Sequence, residues 1–418
     1  MWRSTISFVN ANVVTPTGVK HSIRFAGHVL SVGEAPGRHD VVMDLDGAFV
    51  LPGLINAHEH LELNHYGRLK FRERYTNVSG WVDDMRPRLS EDPAIRAGQS
   101  HRLAHRLFIG GLKNMLAGVT TVAHHNPVYR EIGRFCAVRV VKRFGWAHSY
   151  EMESQPAGAR GEPGGDMVAR HRATDPNEPF IVHLAEGTDA AARAEFDRFD
   201  ADGCLTPNAV LVHGVALTPA QQRRMIDAGS GLVWCPASNL FLFGETPDVR
   251  PLLADAATRG RVALASDSRL SGARDLLDEV RVAHDAMSMP AKDLLHLVTT
   301  GPAELLRLPN AGHIATGKPA DFTVLPHHAP DAAGALLRAT RKDVRLVMVG
   351  GRPLVADADF SRVFRERRVP TRMVTVDDAT KVMDASVARL LERSPIGEDG
   401  VEVEPLAPAR VYAVVTSR

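Results

Sequence analysis

Apolar positions along this chain come in two textures. From residue 1 to about 50 they are short, alternate with polar positions and stop at glycine or proline, as in "TISFVNANVVTP", "KHSIRFAGHVLSVGEAP" and "VVMDLDGAFVLPG". Period-two alternation rich in β-branched residues, punctuated in this way, predicts strands and turns. From about 53 to 308 the pattern changes to compact apolar runs, "VTTVAHH", "FIVHLAE", "AVLVHGV", "GLVWCPAS" and "RVALASDS". Between them lie stretches of helical period such as "RAGQSHRLAHRLFIGGLKNMLAG" and "TPAQQRRMIDAG". Short buried strands alternating with helices predict βα units and a parallel sheet. From 309 to about 360 strand texture returns, in "GHIATGKPADFTVL" and "VRLVMVGGRPLV". Neither β-rich end has enough apolar surface for a core of its own, so the two are expected to pair. The tail, 361 to 418, mixes a basic helical segment with "VEVEPLAPARVYAVVTSR", a strand or an arm.

The compact runs share a second feature, which is what stands where each one stops. The run from Leu51 to Ile55 leads into His58, Glu59 and His60; "PFIVHLAEG" carries His183 and then Glu186; "NAVLVHGVAL" carries His213; "GRVALASDS" carries Asp267. Two residues at i and i+2 share one face of a strand, and neutral imidazole is the commonest side-chain metal ligand. One H-x-H is weak evidence by itself, because 19 histidines placed at random give about one such pair. Four strand ends carrying ligand or acid–base residues are much harder to reach by chance. In a (β/α)₈ barrel the C-terminal ends of the strands converge on one site.

The motifs "LPGLINAHEH", "LAGVTTV", "VHLAEG", "LVHGVAL", "CPASNLFLFG", "ALASDS" and "TTGPAELLRL…GHIATGKPADFTVL" run in order from about 50 to 325. In this they resemble the amidohydrolase superfamily, in its branch of cytosine, guanine and adenosine-type deaminases and triazine hydrolases. The resemblance implies an α/β fold: a (β/α)₈ TIM-like barrel over 51–308, with a small β-sandwich domain built from 1–50 and 309–360 and a C-terminal extension over 361–418. It implies His58, His60, His183 and Asp267 as ligands of one divalent metal ion, Zn²⁺ or Fe²⁺, since imidazole suits both. Three nitrogens and one carboxylate leave the open position a catalytic zinc needs. Glu186 matches a proton-shuttling glutamate and His213 the sixth-strand histidine, so Glu186, His213 and Asp267 are the catalytic candidates. The implied reaction is hydrolytic deamination of a small purine-, pyrimidine- or triazine-like heterocycle. The alternative is hydrolysis of a non-peptide amide, a cyclic amidine or an aryl C–N or C–halide bond at the same site.

The glutamate of "HLAE" marks the mononuclear branch. A bridging group on the fourth strand is not evident, because Lys142 precedes the strand-like part of "RFGWAHSYEMES" and only Glu151 or Glu153 follow it. The eighth strand reads "ASDS" where the branch usually has Gly-Thr-Asp, with the aspartate intact. Glu59 is expected to be an unremarkable occupant between two ligands. His65, His124, His125 and Asn239 are the candidates for substrate contact. Adjacent strand residues face opposite ways, so only one of His124 and His125 is expected to face the pocket. The segment "QPAGARGEPGGD" is a candidate loop over the site.

Composition closes off other classes. Lys+Arg total 50 against Asp+Glu 49, so there is no general field for nucleic acid or an anionic membrane. Polynucleotide deaminases use H-x-E…P-C-x-x-C, and the three cysteines here, Cys136, Cys204 and Cys235, form no C-x-x-C. A sparse, odd set of cysteines fits a reducing compartment, and "MWRSTISFVNANVVTP" lacks a signal-peptide layout. A binding or scaffold relative would have lost some of the four ligand positions. The expectation is a cytoplasmic enzyme, assembled as a homodimer, acting on a small molecule, with no nucleic-acid or membrane partner.

Overall fold

All five compact runs become parallel strands, and alternation within each shows why they read as continuous apolar text. In the strand Phe180–Leu184, Phe180, Val182 and Leu184 belong to one buried cluster, shared with the surrounding helices, while Ile181 belongs to another. A strand buried on both faces has no polar face to show. The computed structural model describes residues 4–150 and 166–405. Its strands in chain order are β1 Ile6–Thr15, β2 Gly18–Phe25, β3 Val29–Val32, β4 Val41–Asp44, β5 Phe49–Pro52, β6 Leu54–Glu59, β7 Val119–His124, β8 Arg139–Val140, β9 Gly145–Ala147 and β10 Phe180–Leu184. They continue with β11 Ala209–His213, β12 Gly231–Trp234, β13 Val262–Leu264, β14 Phe322–Leu325, β15 Leu346–Val349, β16 Arg352–Asp357, β17 Thr371–Val376, β18 Ala379–Asp384 and β19 Val401–Val403.

Strands β6 to β13 lie in two parallel sheets, β6–β7–β8 and β9 to β13 in sequence order. Ile55, Ala123, Ile181, Val210, Val233 and Ala263, one from each of six of these strands, form a single buried cluster. The strands therefore share a common apolar core. The helices between them form where local chemistry favours them. Pro219–Asp227, for example, has Thr218 in a reciprocal capping box with Gln221 and proline in its first turn.

One connection departs from the βα pattern. β8 and β9 are separated by residues 141–144 alone, whereas parallel neighbours ordinarily need a crossover of a dozen or more. The two strands are not paired with each other; β8 pairs with β7 and β9 with β10. A cavity of about 800 Å³ lies at this break, lined by Thr121, Arg139, Val141, Lys142, Glu178 and Arg307 among others.

The chain ends build one hydrogen-bonded sheet of eleven strands, in the order β19-β17-β18-β16-β15-β14-β5-β1-β2-β3 with β4 on β1. The contact between the ends is direct: β5 pairs antiparallel with β14, placing Val50 opposite Val324. Residues 361–405 enter the same sheet through β17, β18 and β19. The apolar run Leu51–Ile55 splits at Gly53, so that β5 joins this sheet and β6 starts the parallel set. A Cβ at Gly53 would lie 2.2 Å from Thr120 Oγ1, so only glycine allows the chain to cross here.

Candidate active site

The ends of β6, β10 and β11 and the residues after β13 bring His58, His60, His183, His213 and Asp267 together. Backbone turns aim several of them. Ala185, His213 and Asp267 all have left-handed φ, at 54°, 71° and 52°. Such angles cost a non-glycine residue about 1–3 kcal/mol and cluster at functional sites. Asp267 Oδ1 lies 3.9 Å from His58 Nε2 and 3.9 Å from His60 Nε2. Ligand atoms of His58, His60 and Asp267 fall within 4.8 Å of one another, as do those of His58, His183 and His213.

A hydrogen bond settles which nitrogen of His183 faces inward. His183 Nδ1 is 2.9 Å from the His148 carbonyl oxygen. A carbonyl only accepts, so Nδ1 carries the proton and Nε2 keeps its lone pair. His58 Nε2 stands 3.3 Å from that nitrogen. Burial first, and then the neighbouring imidazoles, push His58 and His183 well below the ordinary histidine range. Burial likewise brings His60 down to about 4. Buried imidazoles gathered around a buried carboxylate form a donor set that suits a divalent cation. Asp267 is held from behind: Oδ2 accepts from Ser238 and Ser271 at 3.0 Å each, and Oδ1 accepts from the Ser268 N–H at 2.6 Å. Burial pushes its pKa up, but His60, His213 and these donors together bring it below the usual value.

Glu186 and His213 stand beside this group. Glu186 Oε1 is 3.5 Å from His213 Nε2. Burial, then the charges of Asp267 and Glu195, push the Glu186 carboxyl well above its ordinary pKa, which favours the protonated acid. His213 Nδ1 donates to Asn239 Oδ1 at 2.9 Å, which leaves its Nε2 as an acceptor. A pocket of about 270 Å³ opens over these groups, lined by His60, Glu62, Trp81, Asn126, His148, His183, Glu186, His213 and Asp267 among others, with no arginine or lysine among the described residues.

None of the four substrate candidates lines this pocket. His125 and Asn239 are buried against His58 and His213, and His124 accepts from the Leu61 N–H at 3.3 Å on the other face of its strand. His65 packs on Tyr66 and lines a separate cleft with Arg68 and Arg269. Glu151, Glu153 and most of the candidate loop fall outside the described residues. His148 is in the lining although the sequence reading passed it over; it follows the short strand β9 as the other histidines follow theirs, and the same rule would have found it.

Glu59 is far from an unremarkable occupant. It is fully buried, as is Lys113, whose Nζ donates to Glu59 Oε2 at 2.9 Å, Asn64 Oδ1 at 2.8 Å and the Asp267 carbonyl at 3.0 Å. Asn56 and Asn114 complete the network. This ion pair ties the strand carrying His58 and His60 to the turn carrying Asp267. Lys113→Ala would strand the Glu59 carboxylate in the core, and denaturant unfolding should show a loss of about 3–5 kcal/mol. A loss below about 1 kcal/mol would place the pair among those that contribute little.

Comparison with known proteins agrees with this architecture. Residues 167–354 match the model of the amidohydrolase family. The chain is 27% identical over 404 residues to a 5-methylthioadenosine/S-adenosylhomocysteine deaminase of Nitratidesulfovibrio vulgaris strain Miyazaki F, covering 80% of this chain and 87% of that one. It is 26% identical over 416 residues to the protein of the same name from Natronomonas pharaonis, covering 85% and 94%. Among solved structures, atrazine chlorohydrolase from Arthrobacter aurescens TC1 complexed with zinc superposes with a TM-score of 0.67 at 19% identity, covering 87% of this chain and 99% of that one. An adenosine deaminase from Xanthomonas campestris with bound zinc superposes at 0.64 and 18% identity, covering 87% and 97%. Over residues 167–354 this chain is similar to the amidohydrolase family, and it shares its fold with these two zinc-bound enzymes.

Proposed function

We propose that this chain is a metal-dependent aminohydrolase that removes ammonia from a small, amino-substituted nitrogen heterocycle. The observation that carries the reading is the placement of a buried carboxyl, Glu186, 3.5 Å from His213 and beside the clustered His58, His60 and His183 and the held carboxylate of Asp267. His58, His60, His183 and Asp267 would hold one divalent ion, zinc by preference, which lowers the pKa of a bound water toward neutrality. Asp267, fixed by Ser238, Ser271 and Ser268, is placed to take a proton from the attacking water. His213, an acceptor at Nε2, orients that water through its O–H. Glu186 delivers its proton to the ring nitrogen, takes up the proton of the added hydroxyl and passes it to the leaving amine, and the proton held by Asp267 then restores the acid. Among the described residues the lining offers no cation to pair with a carboxylate or phosphate, and its size suits one ring system with a modest substituent. The relatives named as deaminases of adenosine derivatives support the same bond class. We take the eight parallel strands as a closed barrel and the two chain ends as its companion β domain. We also take the enzyme to be cytoplasmic and dimeric; no described helix is long and apolar enough to cross a membrane.

Ammonia release by zinc-loaded protein from a panel of aminopurines, aminopyrimidines, adenosine derivatives and aminotriazines tests the reading. Turnover of at least one neutral amino-heterocycle is expected, with Asp267→Ala losing both bound metal and turnover. Release of halide or alkylamine without ammonia from any member would replace deamination with another displacement at the same site. Full metal occupancy in Asp267→Ala would overturn the ligand assignment.

A further inference from the structure

We infer that His125 is a positioning residue for His58, fixing the tautomer that turns His58 Nε2 toward the metal. The inference rests on the reading of His58 as a ligand, and the argument runs from a backbone carbonyl inward. His125 Nε2 is 2.9 Å from the Ala147 carbonyl oxygen at the end of β9. A carbonyl only accepts, so His125 carries its proton on Nε2, and the Nδ1 of a neutral ring is then an acceptor. That nitrogen is 3.3 Å from His58 Nδ1, with the two rings at 88°. Two lone pairs repel at this distance unless a cation accepts them, as the proposed metal would for the facing Nε2 atoms of His58 and His183; at the contact with His125, His58 therefore supplies the proton from Nδ1, and its Nε2 is left bare. Nε2 is the atom 3.3 Å from His183 Nε2 and 3.9 Å from Asp267 Oδ1. His125 is 1% exposed and His58 fully buried, so water does not compete for either bond. His183 has its own anchor in the carbonyl of the next residue, His148. Adjacent residues of one strand end thus orient two proposed ligands, His183 directly and His58 through His125. The partner that fixes a ligand histidine's tautomer is commonly a carboxylate, a carbonyl or water; here an imidazole stands in, supplied by the second histidine of "AHHNP".

The test is zinc affinity, measured by competition with a chelator, in wild type, His125→Phe and His125→Gln. Wild type should bind one equivalent. His125→Phe removes the acceptor and should weaken binding roughly 10- to 100-fold. His125→Gln offers Oε1 to the same Nδ1–H and should recover wild-type affinity to within about threefold. The d–d absorption of the cobalt-substituted protein should shift in the Phe variant and return in the Gln variant. Nitrogen NMR of histidine-labelled, metal-free wild type gives an answer that needs no variant: His125 should be the Nε2–H tautomer and His58 the Nδ1–H tautomer. The opposite tautomers, or unchanged affinity in His125→Phe, would overturn the inference while leaving the metal reading intact. Two equivalents in wild type and one in His125→Phe would make His125 a ligand of a second ion. A wild type that binds no zinc would overturn both readings together.

Discussion

Replacing Glu186 by Gln is expected to lower kcat by roughly 10²- to 10⁴-fold at unchanged metal content. Gln keeps the shape and the contact with His213 but has no proton to give. Burial, and then the nearby Asp267 and Glu195 carboxylates, raise the pKa of the wild-type carboxyl well above the ordinary glutamate value, which is the direction a general acid needs. The general acid must be protonated to work, so kcat/KM should fall as pH rises through its raised pKa, and the Gln variant should lack that limb. A second readout needs no substrate. In the metal-free protein the folded state raises the pKa of Glu186, while the unfolded chain ionises it at the ordinary glutamate value. Folding therefore takes up a proton, and this group's contribution to stability declines as pH rises above that ordinary value toward the folded one. Gln titrates in neither state, so the variant should gain stability relative to wild type over the same window. A Gln variant with near-normal kcat would make Glu186 structural and remove the shuttle from the proposed chemistry.

The elements that could be read from the sequence were those with a local signature. A strand buried on both faces leaves a continuous apolar run, and a ligand at its end is a polar residue in a conspicuous place, as with His183 and His213. The strand-end rule therefore brought together residues that lie more than two hundred positions apart, such as His58 and Asp267. What escaped were roles set by long-range contacts. Lys113 sits in a helix of ordinary pattern, and nothing local shows that its ammonium reaches Glu59 and the Asp267 carbonyl. One of the pair His124–His125 was expected to face the pocket; neither lines it, and what His125 meets instead, Ala147 and His58, is set by long-range contacts. The break between β8 and β9 was legible in principle, because four residues cannot hold a crossover helix. It was masked by the weak signal of strands of two and three residues.

Deleting residues 1–48 should yield insoluble protein although every proposed ligand remains in the chain. β1 stands in the interior of the eleven-stranded sheet, bonded to β2, β4 and β5. Its removal exposes an edge at β5, and an unpaired apolar edge recruits other chains. The same segment supplies Ile6, Phe8, Val13, Ile23, Phe25 and Val29 to the cluster that also holds Phe322, Val324, Leu346, Met348, Phe360 and Phe364. Fully burying one such side chain is worth roughly 1.5–3 kcal/mol. Uncovering half a dozen matches or exceeds the 5–15 kcal/mol that ordinarily holds a domain folded. Arg367, almost fully buried, would lose the Ser4, Phe25 and Ala26 carbonyls to which it donates. The damage would reach the site, because β5 continues through Gly53 into β6, whose end carries His58 and His60. Expression of the truncated chain, with fractionation and metal analysis, checks this. A soluble truncation that holds one metal ion and turns over substrate would show that the parallel strands and their site stand without the sheet.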